Sequence, residues 1–105
     1  MTGESISLQS ATVEDFKPLV GETFLLAEQE GGDVVTELQL NEVESTSHQA
    51  PGGRKGFSLY FHGSPDIALQ QQIYWLTHVS AGTLGIFLVP ISGDAERLRY
   101  QAVFN

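Results

Sequence analysis

At 105 residues the chain has room for one domain, and a domain of this size buries enough surface to fold without metal or disulfide staples. Its composition, 41% hydrophobic and 10% aromatic, is that of a globular protein, and the absence of cysteine excludes disulfides, thiolate nucleophiles and cysteine-based zinc sites. The net charge of −8 disfavours a nucleic-acid partner, because the whole-molecule field repels phosphate backbones.

The charge is unevenly spread. Residues 1–50 hold ten acidic residues against Lys17 alone, whereas residues 51–105 hold three against Arg54, Lys55, Arg97 and Arg99. The pairs Arg54–Lys55 and Arg97–Arg99 are therefore the only local cationic patches, and solvation is the simplest role for the acids. Residues 1–10 lack the basic and apolar runs of a signal peptide, and no segment is long enough to span a bilayer. A soluble, cytoplasmic protein without membrane contact is expected.

Residues 1–11 read as a flexible lead-in to a single β domain over 12–105. Thr12 and Asp15 form the weaker version of a capping box, with Glu14 and Asp15 where the helix dipole favours anions. A short helix follows, in which Val13 and Phe16 share a face, and Phe16 is expected to press into a sheet opening. Pro18 discourages its continuation, and Gly21 closes the segment.

Thr23–Glu28 has strand composition, and Glu30-Gly31-Gly32-Asp33 supplies hairpin turn residues. In the second strand Val34, Thr36, Leu38 and Leu40 share one face, but Val43 falls on the polar side of the count. A β-bulge near Asn41 and Glu42 restores it to the apolar face. Residues 45–56 contain no aliphatic residue larger than alanine and read as the longest loop.

Residues 57–62 form the clearest strand, with Phe57, Leu59 and Phe61 inward and Ser58, Tyr60 and His62 outward. Burying each of the three inward side chains is worth about 2 kcal/mol, which makes this strand an anchor of the core. One helical turn is expected over 67–71, then a strand at 72–78 with large side chains on both faces. Leu84–Ile91 is apolar on both faces, which predicts a central strand covered on each side. Alternation in Leu98–Asn105 ends the chain in a strand that belongs to the core, and such a strand at a sheet edge would allow pairing with a second copy, a homo-oligomer. Six mostly sequential strands predict an all-β fold, a small antiparallel six-stranded barrel or barrel-like sandwich with a short N-terminal helix and little internal space for a ligand.

No residue is assigned a catalytic, cofactor-binding or metal-binding role. His48, His62 and His78 share no metal-ligand spacing, and hydrogen-bonded structural histidines account for them better than ligands or bases. Glu37, Glu42 and Glu44 match neither a calcium loop nor a glycosidase pair. Residues 51–56, Pro-Gly-Gly-Arg-Lys-Gly, place glycines beside two cations but fail the phosphate-loop order, with no Ser or Thr after the lysine and a strand instead of a helix next. The residues that remain as interaction candidates are Arg54, Lys55, Tyr60, His62 and Tyr74, with the two tyrosines offering an aromatic face.

The strings Phe16-Lys17-Pro18-Leu19-Val20-Gly21-Glu22-Thr23-Phe24, Gly56-Phe57-Ser58-Leu59-Tyr60-Phe61-His62-Gly63 and Tyr100-Gln101-Ala102-Val103-Phe104-Asn105, with the 72–78 and 85–90 stretches between them, resemble a small uncharacterised bacterial family of unknown function. The resemblance runs from Phe16 to the end of the chain. It implies a bacterial stand-alone domain, and an accessory role in a phage-tail-like particle, since family members occur beside proteins similar to phage-tail collar proteins. Its shared positions are glycines, aromatics and aliphatics, so it transfers no functional residue.

Two functions are compatible with these features. One is a non-catalytic interaction or assembly module with a protein partner. The other is a small enzyme or ligand carrier with a site at the barrel mouth, using His62 or His78 with a carboxylate such as Asp66.

Overall fold

The computed structural model describes residues 11–49 and 55–104, and of residues 46–49 and 55 it describes the backbone only. Of the expected lead-in over 1–11, residues 1–10 lie outside the described residues, as does Arg54, while Ala11 is buried in the core. A four-residue helix α1 (Val13–Phe16) is followed by a 3-10 turn (Lys17–Leu19) and six strands: β1 (Thr23–Ala27), β2 (Val34–Gln49), β3 (Lys55–Gly63), β4 (Gln72–His78), β5 (Gly82–Gly93) and β6 (Leu98–Phe104). All neighbouring strands are antiparallel, and they close into a barrel in the order β1-β2-β3-β6-β5-β4, with β1 pairing back onto β4.

Alternation builds the interior as expected. Phe24 and Leu26, Leu38 and Leu40, Phe57, Leu59 and Phe61, Tyr74 and Leu76, Leu84, Ile86 and Leu88, and Tyr100 and Ala102 all point into one core. Phe24 meets Phe61 edge-on at 5.6 Å, a favoured aromatic geometry. The bulge in β2 is present: the β2–β3 register shifts between Leu40 and Glu42, and Val43 packs against the core.

The short helix begins as its sequence requires. The Thr12 N–H donates to Asp15 Oδ2 at 2.9 Å, which satisfies a donor that the helix start leaves over. The α-helix stops at Phe16, ahead of Pro18 as expected, and at the start of the 3-10 turn, which runs on to Leu19, the missing proline N–H costs nothing. Phe16 is fully buried against Phe57 and Phe104, at centroid distances of 5.8 and 6.0 Å, and caps one barrel end.

Four expectations need correction. Residues 45–49 and 55–56 are strand, not loop, because β2 and β3 continue as a long hairpin in which Gln49 faces Lys55. Residues 67–71 form no helical turn. In the barrel order β3 and β4 stand opposite each other, so the chain between them must cross the barrel mouth, and it does so in extended and turn conformations. Its backbone is held by two tyrosines, one distant and one local: Tyr100 Oη, 31 residues on, accepts from the Leu69 N–H at 3.0 Å, and Tyr74 Oη, at the start of β4, donates to the Gln70 carbonyl at 2.9 Å.

β5 is likewise not covered on both faces. Closure turns one face of every strand outward, which leaves Phe87 and Ile91 exposed and Val89 half-buried. Finally, β6 is not an edge. Its residues 98–101 pair with β3 on one side and β5 on the other, so that stretch offers no free backbone edge to a second copy.

Candidate functional site

Strand register assembles the one convergent polar cluster seen among the described side chains that carries two cations. His62 on β3 lies directly opposite Arg99 on β6, and Arg99 lies directly opposite Ser92 on β5. The second of these pairings depends on a bulge. The β5–β6 register shifts between Pro90 and Ser92, so Ser92 rather than Ile91 faces Arg99.

The β5–β6 turn adds Arg97. Asp94 Oδ1 accepts from the backbone N–H groups of Glu96 at 2.8 Å and Arg97 at 3.0 Å, and the Asp94 N–H donates to the Arg97 carbonyl at 2.9 Å. Those two backbone bonds to its carboxylate hold the Asp94 pKa below the ordinary value. Gly93 permits the close pairing that precedes the turn, since a Cβ there would stand 2.7 Å from Leu98 Cδ2 and 3.1 Å from the Arg97 carbonyl oxygen.

Arg97 donates to His62 Nδ1 at 3.3 Å, so Nδ1 is an acceptor and the neutral ring carries its proton on Nε2. Burial lowers the His62 pKa, and the Arg97 and Arg99 charges lower it further. The Arg99 guanidinium sits 5.4 Å from the centre of the Tyr60 ring. Neither arginine pairs with a carboxylate among the described residues. His62, Ser92, Gly93, Asp94, Arg97 and Arg99 line a surface cleft of about 250 Å³.

The other sequence candidates fare differently. Tyr60 faces outward as expected but is half-buried and engaged: it donates to Glu44 Oε1 at 3.0 Å and accepts from Gln101 Nε2 at 3.2 Å. Burial and the Glu44 bond raise its pKa. Tyr74 is not part of an aromatic face with Tyr60. It points inward and is 2% exposed, because β4 turns Ile73 and Trp75 outward instead. Lys55 takes part in the strand backbone, and its side chain, like Arg54, lies outside the described residues.

His78 does a structural job. Its Nδ1 accepts from the N–H groups of Ser80 at 3.0 Å and Ala81 at 3.3 Å, holding the β4–β5 turn, which leaves Nε2 to donate to Glu22 Oε1 at 3.1 Å. Asp66 makes no hydrogen bond or ion pair with His62 or His78 among the described residues, so the structure does not assemble the mouth pair considered from sequence. No group of three or more metal-ligating side chains occurs among the described residues, and no described helix is long and apolar enough to cross a membrane.

Sequence reasoning missed an apolar outer surface. Ile73 on β4 faces Phe87 on β5, and Val103 lies on the outward phase of neighbouring β6; they are 54%, 49% and 56% exposed. Trp75, half-buried, lies across Gly85, where a Cβ would come within 2.7 Å of the indole. The signal was the second apolar phase of residues 84–91, which reads equally as a covered strand.

The family of domains of unknown function DUF6916 matches residues 11–104, nearly the whole chain. The chain belongs to DUF6916. No curated protein and no solved structure matches it. The DUF6916 match spans every strand of the barrel and both groups of outward residues described above.

Proposed function

We propose that this DUF6916 domain is a non-catalytic interaction or assembly module that docks a protein partner on the outer face of β4, β5 and β6. The observation that carries the reading is the set of half-exposed Ile73, Phe87 and Val103 side chains on adjacent strands of a barrel whose interior is filled with its own side chains. Apolar side chains clustered on the outside of a small domain mark contact surfaces more often than isolated ones do. The resemblance to a bacterial family found beside tail-collar-like proteins makes an accessory role in a phage-tail-like particle, assembled in the cytoplasm, the process we assign to it.

The second reading, a small enzyme or ligand carrier, draws on the cleft beside His62. His78 offers it less, since both ring nitrogens are already engaged.

Affinity purification from the native cell, with the natural chain and with an Ile73→Glu/Phe87→Glu chain side by side, tests the proposal. A protein that co-purifies in stoichiometric amount with the first and not with the second, at equal melting temperature, is the expected result. A partner retained by the double variant, or a bound small molecule in place of a protein, would count against it.

A further inference from the structure

We propose that His62, Ser92, Arg97 and Arg99 form a carboxylate-recognition site that takes an acidic side chain or a C-terminal carboxylate from a peptide segment. Its role in docking rests on the interaction-module reading; its affinity for a carboxylate does not.

Three adjacent strands place His62, Arg99 and Ser92 in one row on one face of the sheet, and neighbouring strands stand about 4.8 Å apart, so a small anion held over Arg99 lies within side-chain reach of both flanking residues. Every member can donate. His62 carries its proton on Nε2, Ser92 has a hydroxyl, and each guanidinium has five N–H donors in a fork that matches the two oxygens of a carboxylate. Arg97 gives one nitrogen to His62 and keeps the rest of its donors. Arg99 is held by the face of Tyr60, a contact that does not consume N–H donors.

The arginines are also unpaired where pairing would be easy. In a chain of net charge −8, neither guanidinium takes a carboxylate of the barrel among the described residues. The acid in the cleft lining, Asp94, commits Oδ1 to two backbone N–H groups.

Charge and size select the ligand class. With His62 neutral, Arg97 and Arg99 set against Asp94 leave the cleft with one net positive charge, which suits a monoanion. Glu37 and Glu96 border the adjoining cleft and, with the whole-molecule charge, penalise a phosphate dianion more than a carboxylate. A volume of about 250 Å³ admits a carboxylate with its nearest atoms and lies below the roughly 300–1,000 Å³ of pockets that enclose larger ligands.

The test is an NMR titration of the full chain, following the Arg97 and Arg99 side-chain N–H signals and the His62 ring. The probes are N-acetylglycine, which carries only a terminal carboxylate, N-acetylglutamate α-methylamide, which carries only a side-chain carboxylate, and inorganic phosphate, with chloride holding ionic strength constant. Saturable shifts with either carboxylate, weakened about tenfold by Arg99→Gln and nearly as much by Arg99→Lys, which keeps the charge and loses the fork, are expected. The tighter of the two carboxylates identifies the source. Arg97→Gln, on the exposed turn, serves as the second variant should Arg99→Gln unfold the barrel. Absence of saturable shifts with both carboxylates, equal response to chloride, or tighter binding of phosphate would overturn the proposal. The Ile73→Glu/Phe87→Glu chain should titrate unchanged, so loss of the docking reading and loss of this site give separate results.

Discussion

The two ends of the barrel are closed by different physics. At the end where β3 begins, Phe16 arrives from outside and lays an aromatic ring against Phe57 and Phe104, which themselves stack at 4.7 Å with an interplanar angle of 4°. That closure is dry. At the opposite end the chain must cross from β3 to β4, and a crossing segment carries backbone N–H and C=O groups into the mouth. Those groups need partners, and Tyr74 and Tyr100 supply them from the barrel wall. A small barrel can be stoppered by a side chain where the chain enters, but a segment that traverses the opening requires polar anchors.

The dry end should be the more costly to damage. Phe16→Ala removes a fully buried ring and leaves a cavity bounded by two other rings, so a loss of about 3–5 kcal/mol in unfolding free energy is expected by urea denaturation. Phe16→Leu, which retains most of the volume, should recover more than half of it. A loss below about 1 kcal/mol for the alanine variant would mean that the end closes without the ring.

At the crossing end the expected effects are smaller and differ between the two tyrosines. Tyr100→Phe leaves the buried Leu69 N–H without its acceptor, and an unsatisfied buried donor costs about 1–3 kcal/mol. Tyr74→Phe strips the donor from the Gln70 carbonyl, a partly buried bond that water can replace, at about 0.5–1.5 kcal/mol. Thermal melts of the two variants should therefore rank Tyr100→Phe below Tyr74→Phe. Hydrogen exchange gives a sharper view, because the Leu69 amide should lose protection in the first variant and keep it in the second.

The contrast also explains what could be read from the sequence. Strands with one apolar phase, such as residues 57–62, declare both their existence and their inward face, and the out-of-phase Val43 reveals the bulge at Asn41 and Glu42. Where both phases are apolar, alternation cannot choose. Residues 72–78 and 84–91 are of that kind, and the fate of Tyr74 and of Phe87 was settled by closure of the sheet, a property of six strands together. The segment at 67–71 reads as a helical turn because the hydroxyl that holds Leu69 lies 31 residues away and leaves no trace in local spacing. The cationic cluster was half legible. Arg97 and Arg99 stand out as a pair in the sequence, while their meeting with His62 depends on the β3–β6 register and with Ser92 on the bulge in β5.

The least costly region to perturb is this cluster, and its signature is a pH dependence. His62 titrates below its ordinary value of 6.5 in the folded chain, chiefly through burial and then through Arg97 and Arg99, with Asp94 opposing them. As pH falls below about 6.5 the unfolded chain takes up a proton that the folded chain refuses, so stability contributed by the neutral ring is full above that pH and declines until the folded pKa is passed. Asp94 acts in the same direction at lower pH: its backbone bonds stabilise the fold above the ordinary carboxylate value of 3.8, and that gain is lost as pH falls through its depressed folded pKa. Urea midpoints measured from pH 7.5 to 4.5 should fall more steeply for the natural chain than for His62→Gln, which has no ring to protonate. Arg97→Gln should lie between them, since it removes one of the two repelling charges and leaves the burial. Superimposable profiles for the natural chain and His62→Gln would show that the ring is as free to protonate in the folded chain as in the unfolded one, and the cluster would lose its claim to hold His62 neutral beside two unpaired arginines.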